Sequence, residues 1–345
     1  MKRIVGTILS FVLCLTVLSG CGGGNGASGV QNAEYDASEV VMTIDGREVT
    51  TDEYRYFIAQ AAVSELSSRK PDFDGNFSAV DWNEKVDGDK TLADVIREKA
   101  IDDIKGTVVI ANIGSENGVS LTDDEKSQAD SMIGQVKTQQ GEETLKLALR
   151  QMGVSSEESF KKVYELTTLY SKVEEDFGKE RAKYIDVKLE DTLEQYESDK
   201  MITAQHILIM NESEKHADPK AVIEQVHSRA VAGEDFNTLM TEFNEDPGES
   251  EGGYTFGKGY MVPEFETAAF ALDYNQISDV VQSDYGYHII KRIVGLAEYR
   301  AYLLDGAQIN ENEDAINKIS VADVMNDIYK VTEELNKIMG GSNNG

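Results

Sequence analysis

Two of the four histidines in this 345-residue chain lie inside apolar, strand-like segments. His206 stands in the run Ala-Gln-His-Ile-Leu, and His288 in the run Tyr-His-Ile-Ile. A lone buried histidine is more often a satisfied core group than a catalyst, but two on core strands can hydrogen-bond each other and so fix their tautomers. His216 and His227 lie in polar segments, and we interpret them as surface histidines.

The remaining residues exclude several kinds of chemistry. HExxH, GxSxG, Walker and kinase motifs are missing from the sequence. Both cysteines, Cys14 and Cys21, fall at the extreme N-terminus, so the rest of the chain has no disulfide framework or cysteine-ligated metal. With 33 Lys and Arg against 63 Asp and Glu, the net charge of −30 argues against nucleic-acid binding. We therefore expect no metal, no cofactor and no nucleic acid.

Short strands and helices alternate around the two apolar histidines, and this alternation predicts an α+β or α/β module of about 95 residues. The predicted elements are a strand at 202–210, helices at 220–230, 236–243 and 265–272, a glycine turn at Gly252-Gly253, and a strand at 286–294.

The flanking regions have helical periodicity. A hairpin signal at Asp45-Gly46 precedes a helix opened by a capping box at residues 50–53, and 70–90 is predicted as a loop. Further helices are predicted at 92–113, after Thr122-x-x-Glu125 and Ser155-x-x-Glu158, and at 189–198. An apolar stripe over 316–338 needs a partner surface, for which the N-terminal helices are the natural candidate. The helical domain is thus predicted to be discontinuous around the inserted module.

The N-terminus is predicted to be a targeting segment. Lys2 and Arg3 precede an apolar run over 4–18, which is too short to span a bilayer comfortably. The run ends in Leu-Ser-Gly-Cys21, which resembles the bacterial lipobox, although an ordinary secretory signal or a short anchor helix stays an alternative. Two acyl chains on Cys21 suffice for stable anchoring. We expect a signal peptide at 1–20, a flexible tether at 21–39, and a lipid anchor on the outer face of the cell membrane.

A series of motifs in residues 200–297 resembles the parvulin-type peptidyl-prolyl cis/trans isomerases. Each piece is weak alone, but their order is specific: AQHIL (204–208), AGEDF (232–236), NEDPG (244–248), GG (252–253), FGKGYMVPEF (256–265), AAFAL (268–272), ISDVV (277–281) and YGYHII (285–290). Together with the lipobox and the helical flanks, the whole chain resembles the PrsA-type foldase lipoproteins and, more loosely, the SurA-like chaperones. The resemblance implies a small antiparallel sheet with surrounding helices, inserted in a helical chaperone domain made of 40–199 and 298–345.

The resemblance also implies site residues, carried over position by position. His206 and His288 match the paired active-site histidines, with Asp246 and Ser283 at the neighbouring polar positions. For Met261 and Phe265, core packing is as good an explanation from spacing alone, but they match the apolar pocket for the substrate proline ring. Tyr285 matches a position that lines the same cleft, and Tyr254 is expected to rebuild one wall, because the stretch 252–256 is shorter than the common family form. Acids at 211–215 replace the basic cluster of phospho-specific parvulins, so a phosphoserine-proline preference is not expected.

Two functions compete at this point. The first is an anchored isomerase that acts on X–Pro bonds of unfolded or partly folded secreted polypeptides. The second is a non-catalytic holdase, whose helical cradle binds clients while the parvulin domain is weak or inert. A surface adhesin would predict repeats or wall-binding modules, and the sequence shows neither. A homodimer is compatible with both functions.

Overall fold

The computed structural model describes residues 35–196 and 201–340, so the predicted signal peptide and Cys21 lie outside the described part. Helices combine with small antiparallel sheets, which confirms the α+β class. In chain order the described strands are β1 (Val40–Ile44), β2 (Arg47–Thr50), β3 (Lys85–Asp87), β4 (Lys90–Thr91), β5 (Met201–Met210), β6 (Tyr254–Gly257), β7 (Val281–Gln282), β8 (Gly286–Ile293) and β9 (Ile309–Glu311).

The described α-helices account for most of the regular structure. They are α1 (Thr51–Arg69), α2 (Leu92–Glu116), α3 (Asp123–Gln140), α4 (Glu142–Gln151), α5 (Glu157–Lys179), α6 (Val187–Leu193), α7 (Pro219–Val231), α8 (Phe236–Phe243), α9 (Pro263–Phe270), α10 (Leu296–Gly306), α11 (Glu313–Asn317) and α12 (Val321–Gly340). Among the described residues, no helix combines the length and the apolar character needed to cross a bilayer.

The chain divides into two compact units. The first consists of Met1–Ser171 together with Ala307–Gly345, and the second of Lys172–Gly306. The second unit is larger than the predicted isomerase module. It also includes the C-terminal part of α5 and the whole of α6 and α10. Within it, the Gly252 N–H donates to the Gly178 carbonyl at 2.9 Å, and Arg181 Nε donates to the Val294 carbonyl at 2.9 Å.

In the first unit, strand β1 lies between β2 and β9 in an antiparallel sheet. Asp45 and Gly46 both have positive φ, 50° and 81°, as a two-residue type I′ hairpin turn requires. Thr50, Thr91 and Thr122 each form a complete capping box at the start of α1, α2 and α3. These contacts satisfy backbone N–H groups that a helix start leaves unpaired.

Four local predictions need correction. The Ser155 capping box is wrong, because both the N–H and the hydroxyl of Ser155 donate to Asp52, while Ser156 accepts from the Ser159 N–H. The predicted helix at 189–198 starts earlier, as α6, and gives way to a 3₁₀ turn at Glu194–Tyr196. The predicted loop at 70–90 contains a 3₁₀ turn and the short β3–β4 hairpin. The segment 298–345 is not one helix, since α10 belongs to the second unit and α11 and α12 to the first.

The second unit is built on a four-stranded antiparallel sheet in the order β6-β5-β8-β7. One face carries Ile207, Ile209 and Ile289 and packs under α7 and α8. The other face carries Ile202, Ala204 and Ile290 and packs against α9. Because side chains alternate along a strand, each strand contributes to both cores.

Candidate active site

The sheet register places the two apolar-strand histidines on the same face. His206 on β5 pairs with Ile290, and His288 on β8 pairs with Leu208, so the two are diagonal neighbours across the β5–β8 ladder. Both are buried, with 4% of each residue exposed, and their ring centroids lie 5.5 Å apart. They share the α9 side of the sheet with Phe265.

The expected hydrogen bond between the two histidines is not formed. His288 Nε2 instead shares a 2.7 Å hydrogen bond with Ser283 Oγ, and Nδ1 of each histidine has no hydrogen-bond partner among the described residues. The diagonal register explains this, because it brings the rings near each other without aligning their nitrogen atoms.

His288 is held in its neutral form. Burial, and after it the charge of the neighbouring His206, lower its pKa to about 4, while Asp246 acts in the opposite direction. At neutral pH the Ser283–His288 pair is therefore uncharged and polarisable.

Asp246 reaches His206 because a loop after α8 is hydrogen-bonded to β5. The Leu208 N–H donates to Asn244 Oδ1 at 2.9 Å, the Glu245 N–H donates to the Leu208 carbonyl at 2.9 Å, and the Met210 N–H donates to Glu245 Oε2 at 2.8 Å. Strand β6 pairs only with the first half of β5, so this loop serves as partner for the second half.

The Asp246 carboxylate has two neighbours in the cluster. Its Oδ2 lies 3.4 Å from His206 Nε2 and accepts a 3.1 Å hydrogen bond from the Tyr254 hydroxyl. Gly248 allows this arrangement, since a Cβ there would lie 2.5 Å from the Tyr254 hydroxyl.

Glu249 is a site residue that the sequence analysis missed. Its side chain is 1% exposed, and Oε2 lies 3.0 Å from His206 Nδ1. Burial raises the pKa of this carboxyl, and the nearby His206 opposes the rise. In the sequence, Glu249 is one of many acids after a Pro-Gly turn, and only the path of the loop brings it under the imidazole.

Aromatic rings line the site on two sides. Tyr254 stacks on His206 with centroids 5.8 Å apart and an interplanar angle of 24°. Phe265 presents its ring edge-on to both His206 and His288, at 5.2 and 5.5 Å. Met261 is partly buried against the same apolar cluster. Phe265 and Tyr254 therefore contact the histidines directly, while Met261 packs on the apolar cluster that contains Phe265.

Tyr285 lies differently from the other predicted residues. The residue is 65% exposed, and its backbone N–H donates to Ser283 Oγ at 3.2 Å. Its role in lining a cleft stays a prediction.

The arrangement combines an apolar wall with a small polar floor. Phe265 and Met261 provide the apolar surface, and His288 and Ser283 form a neutral hydrogen-bonded pair. The carboxylates of Asp246 and Glu249 lie on either side of His206. Such a site can hold a small ring against the wall and favour one orientation of a carbonyl dipole.

A family profile described as a PPIC-type PPIASE domain matches residues 187–293, which include every member of this cluster. The fold and the match together define a parvulin-type peptidyl-prolyl isomerase domain.

Whole-chain relatives extend the match. The chain is 27% identical over 294 residues to a foldase protein PrsA from Caldanaerobacter subterraneus, covering 84% of this chain and 82% of the relative. It is 30% identical to foldase protein PrsA 4 from Bacillus cereus, covering 63% and 66%. The crystal structure of PrsA from Bacillus subtilis is 25% identical and covers 73% of this chain and 87% of that one, with a TM-score of 0.26, too low to carry a structural argument. The profile match and these relatives together support a PrsA-type parvulin foldase that carries a peptidyl-prolyl isomerase domain.

Proposed function

We propose that this foldase is anchored to the outer face of the cell membrane and catalyses cis/trans isomerisation of X–Pro bonds in secreted polypeptides. The observation that carries the proposal is the His206–His288 pair set edge-on against Phe265, inside the segment that matches the isomerase profile. Client polypeptides follow from the foldase family, and the membrane location from the lipobox-like sequence before Cys21.

The reaction suits a site without a covalent catalyst. Twisting an X–Pro amide breaks its resonance against a barrier of about 18–20 kcal/mol, yet no bond to carbon is made or broken. Catalysis therefore requires only that the site bind the twisted amide better than either planar form. Each ~1.4 kcal/mol of that preference gives a tenfold rate increase.

Phe265 and Met261 are proposed to hold the proline ring against the apolar cluster. The neutral Ser283–His288 pair donates or accepts a hydrogen bond without introducing a full charge into the floor. His206, flanked by Asp246, is proposed to set the polarity that the twisted carbonyl meets. In the low dielectric of a buried site, such fixed dipoles act more strongly than they do in water.

Membrane attachment has its own test. If Cys21 carries the lipid, Cys21→Ser releases the chain from the membrane fraction and abolishes incorporation of a labelled fatty acid. Unchanged fractionation and labelling would contradict the anchor. A homodimer stays a prediction, to be measured by light scattering of the purified chain.

The isomerase proposal is tested with the full chain purified in detergent, on a series of unphosphorylated X-Pro peptides. We expect catalysis that falls by at least tenfold in His206→Ala and in Asp246→Ala. The matched control is His227→Ala, which removes a histidine from α7 outside the cluster and is expected to keep full activity.

Full activity of folded His206→Ala would contradict the proposed role of the cluster. If the folded wild-type chain shows no catalysis, the function moves to client holding. Suppression of aggregation of an unfolded test protein would then measure that function.

A further inference from the structure

Three potential metal-ligating side chains converge at one point of the second unit, although 43 positions separate the outer two in the sequence. They are His206 from β5, and Asp246 and Glu249 from the loop after α8. One imidazole nitrogen and one oxygen from each carboxylate lie within 4.8 Å of one another. Asp246 approaches Nε2 at 3.4 Å, and Glu249 approaches Nδ1 at 3.0 Å.

Glu249 distinguishes this cluster from a surface group of acids. Its side chain is 1% exposed, and neither carboxylate oxygen has a hydrogen-bond partner among the described residues. His206 Nδ1 faces Glu249 without the alignment of a hydrogen bond. A buried carboxylate without donors is unfavourable unless a proton or a cation compensates it. The buried end of the cluster therefore favours a proton or a cation beside Glu249.

We propose that His206, Asp246 and Glu249 bind one divalent transition-metal ion of the zinc class. Imidazole and carboxylate ligands suit Zn²⁺, and three protein ligands leave one position open for water. Tetrahedral ligands at 2.0–2.2 Å from zinc lie roughly 3.4 Å from each other. The observed ligand atoms lie within 4.8 Å of one another. Because the two carboxylates now approach different nitrogens of His206, one of them must move toward the nitrogen that binds the ion.

The ion has a direct consequence for catalysis, and this part rests on the proposed function. It occupies His206 and Asp246 together, so neither side chain is free to interact with the twisted amide that is proposed to bind there. Metal binding therefore inhibits the isomerase reversibly, and the chain is active when metal-free. Glu249 is the ligand that adds metal affinity to a site otherwise built for X–Pro bonds.

The test uses the tag-free full chain in detergent, stripped with EDTA and then dialysed. ZnCl₂ is titrated by calorimetry, and CoCl₂ is titrated while the visible absorption of tetrahedral cobalt is recorded. We expect one ion per chain in both titrations. Glu249→Gln should weaken metal binding by at least about tenfold. Mutating even a residue that only hydrogen-bonds to a metal ligand typically costs roughly tenfold in metal affinity, and Glu249 is itself a proposed ligand. Asp246→Asn should do the same. The control Glu214→Gln removes an exposed acid from the loop after β5 and should bind as the wild type does.

Circular dichroism identifies variants that are folded, and two ligand variants are made so that one folding failure does not remove the test. Absence of a one-to-one binding event in the wild type overturns the proposal. Equal affinities in folded Glu249→Gln, Asp246→Asn and wild type overturn it as well, since the metal then binds elsewhere. The binding measurements do not depend on activity. Zinc binding by a chain that is inactive after EDTA treatment would support the metal site while it refuted the proposed isomerase function.

Discussion

His288 has a hydroxyl, an aromatic edge and a second imidazole as neighbours, and none of these compensates a positive charge on its ring. Burial therefore determines its protonation, and its pKa falls from 6.5 to about 4. In the unfolded chain the same imidazole is hydrated and takes up a proton near its ordinary pKa. The difference makes folding stability depend on pH.

The first prediction concerns acid stability. Because the pKa of His288 is lower in the folded state, its contribution to stability is complete above about pH 6.5 and is lost as the pH falls toward 4. The loss amounts to about 3 kcal/mol at most, from 1.36 kcal/mol per pKa unit. Urea unfolding of the second unit between pH 4 and 7.5 measures it.

The control is His288→Gln, which cannot titrate at this position. The raised pKa of Glu249 increases stability as the pH falls, and because it does so in both proteins, their difference isolates His288. The wild type should lose more stability than His288→Gln over this range. If the free energy of unfolding fell equally with pH in the two proteins, the lowered pKa of His288 would be contradicted.

The second prediction separates the two contacts of Tyr254. Tyr254→Phe removes the hydrogen bond to Asp246 but retains the ring that stacks on His206. We expect a loss of about 1 kcal/mol in the free energy of unfolding, with a smaller fall in activity than in Asp246→Ala. The control is Tyr260→Phe, at a tyrosine that is 78% exposed. Equal effects in the two variants would show that the Asp246 contact contributes nothing.

At the scale of elements, α12 joins helices that are distant in sequence. Asp327 forms ion pairs with Arg55 of α1, at 3.3 Å, and with Arg150 of α4. Thr332 accepts a 3.0 Å hydrogen bond from Gln151, and Val331 and Leu335 pack on Leu147. The last long helix therefore completes the core of the first unit and also supplies one carboxylate that pairs with two of its largely buried cations.

The third prediction follows from those ion pairs. Asp327→Asn leaves two largely buried guanidinium groups without their carboxylate, and breaking such a buried pair costs about 3–5 kcal/mol. Thermal and urea unfolding should both show this loss in the first unit. Glu333→Gln, at an exposed position of the same helix, should change stability by less than ~0.5 kcal/mol. A similar small change in Asp327→Asn would contradict the importance of the ion pairs.

The sequence predicted well the features that depend on periodicity. The two apolar runs located β5 and β8, and the apolar stripe over 316–338 located α12. The role of Tyr254 as a rebuilt wall stays a prediction, and its ring stacks on His206.

Features that depend on the path of a loop were not predictable in this way. The neighbours of Glu249 and the preference of Ser155 for Asp52 are long-range contacts that no local pattern contains. The predicted hydrogen bond between His206 and His288 was wrong, because lying on the same face of the sheet does not fix the orientations of the two rings.

At the scale of the molecule, the first unit is assembled from both ends of the chain. Strand β1 pairs with β2, which follows it directly, and with β9, which comes after the whole second unit. Helix α12 then packs on α1, α2 and α4. The second unit has its own two cores, on the two faces of one sheet.

The fourth prediction is that the two units depend differently on the C-terminal segment. Deleting Ala307–Gly345 removes β9, α11 and α12, so the first unit should lose its cooperative unfolding transition. The His206 cluster contains none of the deleted residues, so catalysis on a short X-Pro peptide should persist. Calorimetry and the peptide assay measure the two effects. Complete loss of peptide catalysis would show that the second unit needs the first.

The split of the first unit also determines the order in which a nascent chain can mature. The ribosome makes the N-terminal helices first, but their last partner strand and helix emerge only after Lys172–Gly306 has been synthesised. At about 5–20 residues per second this interval is on the order of ten seconds. During it, Leu147 lacks the covering Val331 and Leu335, and it still lacks them when the last strand of the second unit has been made. During its own synthesis this foldase therefore passes through a stage in which its larger unit exposes apolar core residues, as the unfolded polypeptides it is proposed to bind do.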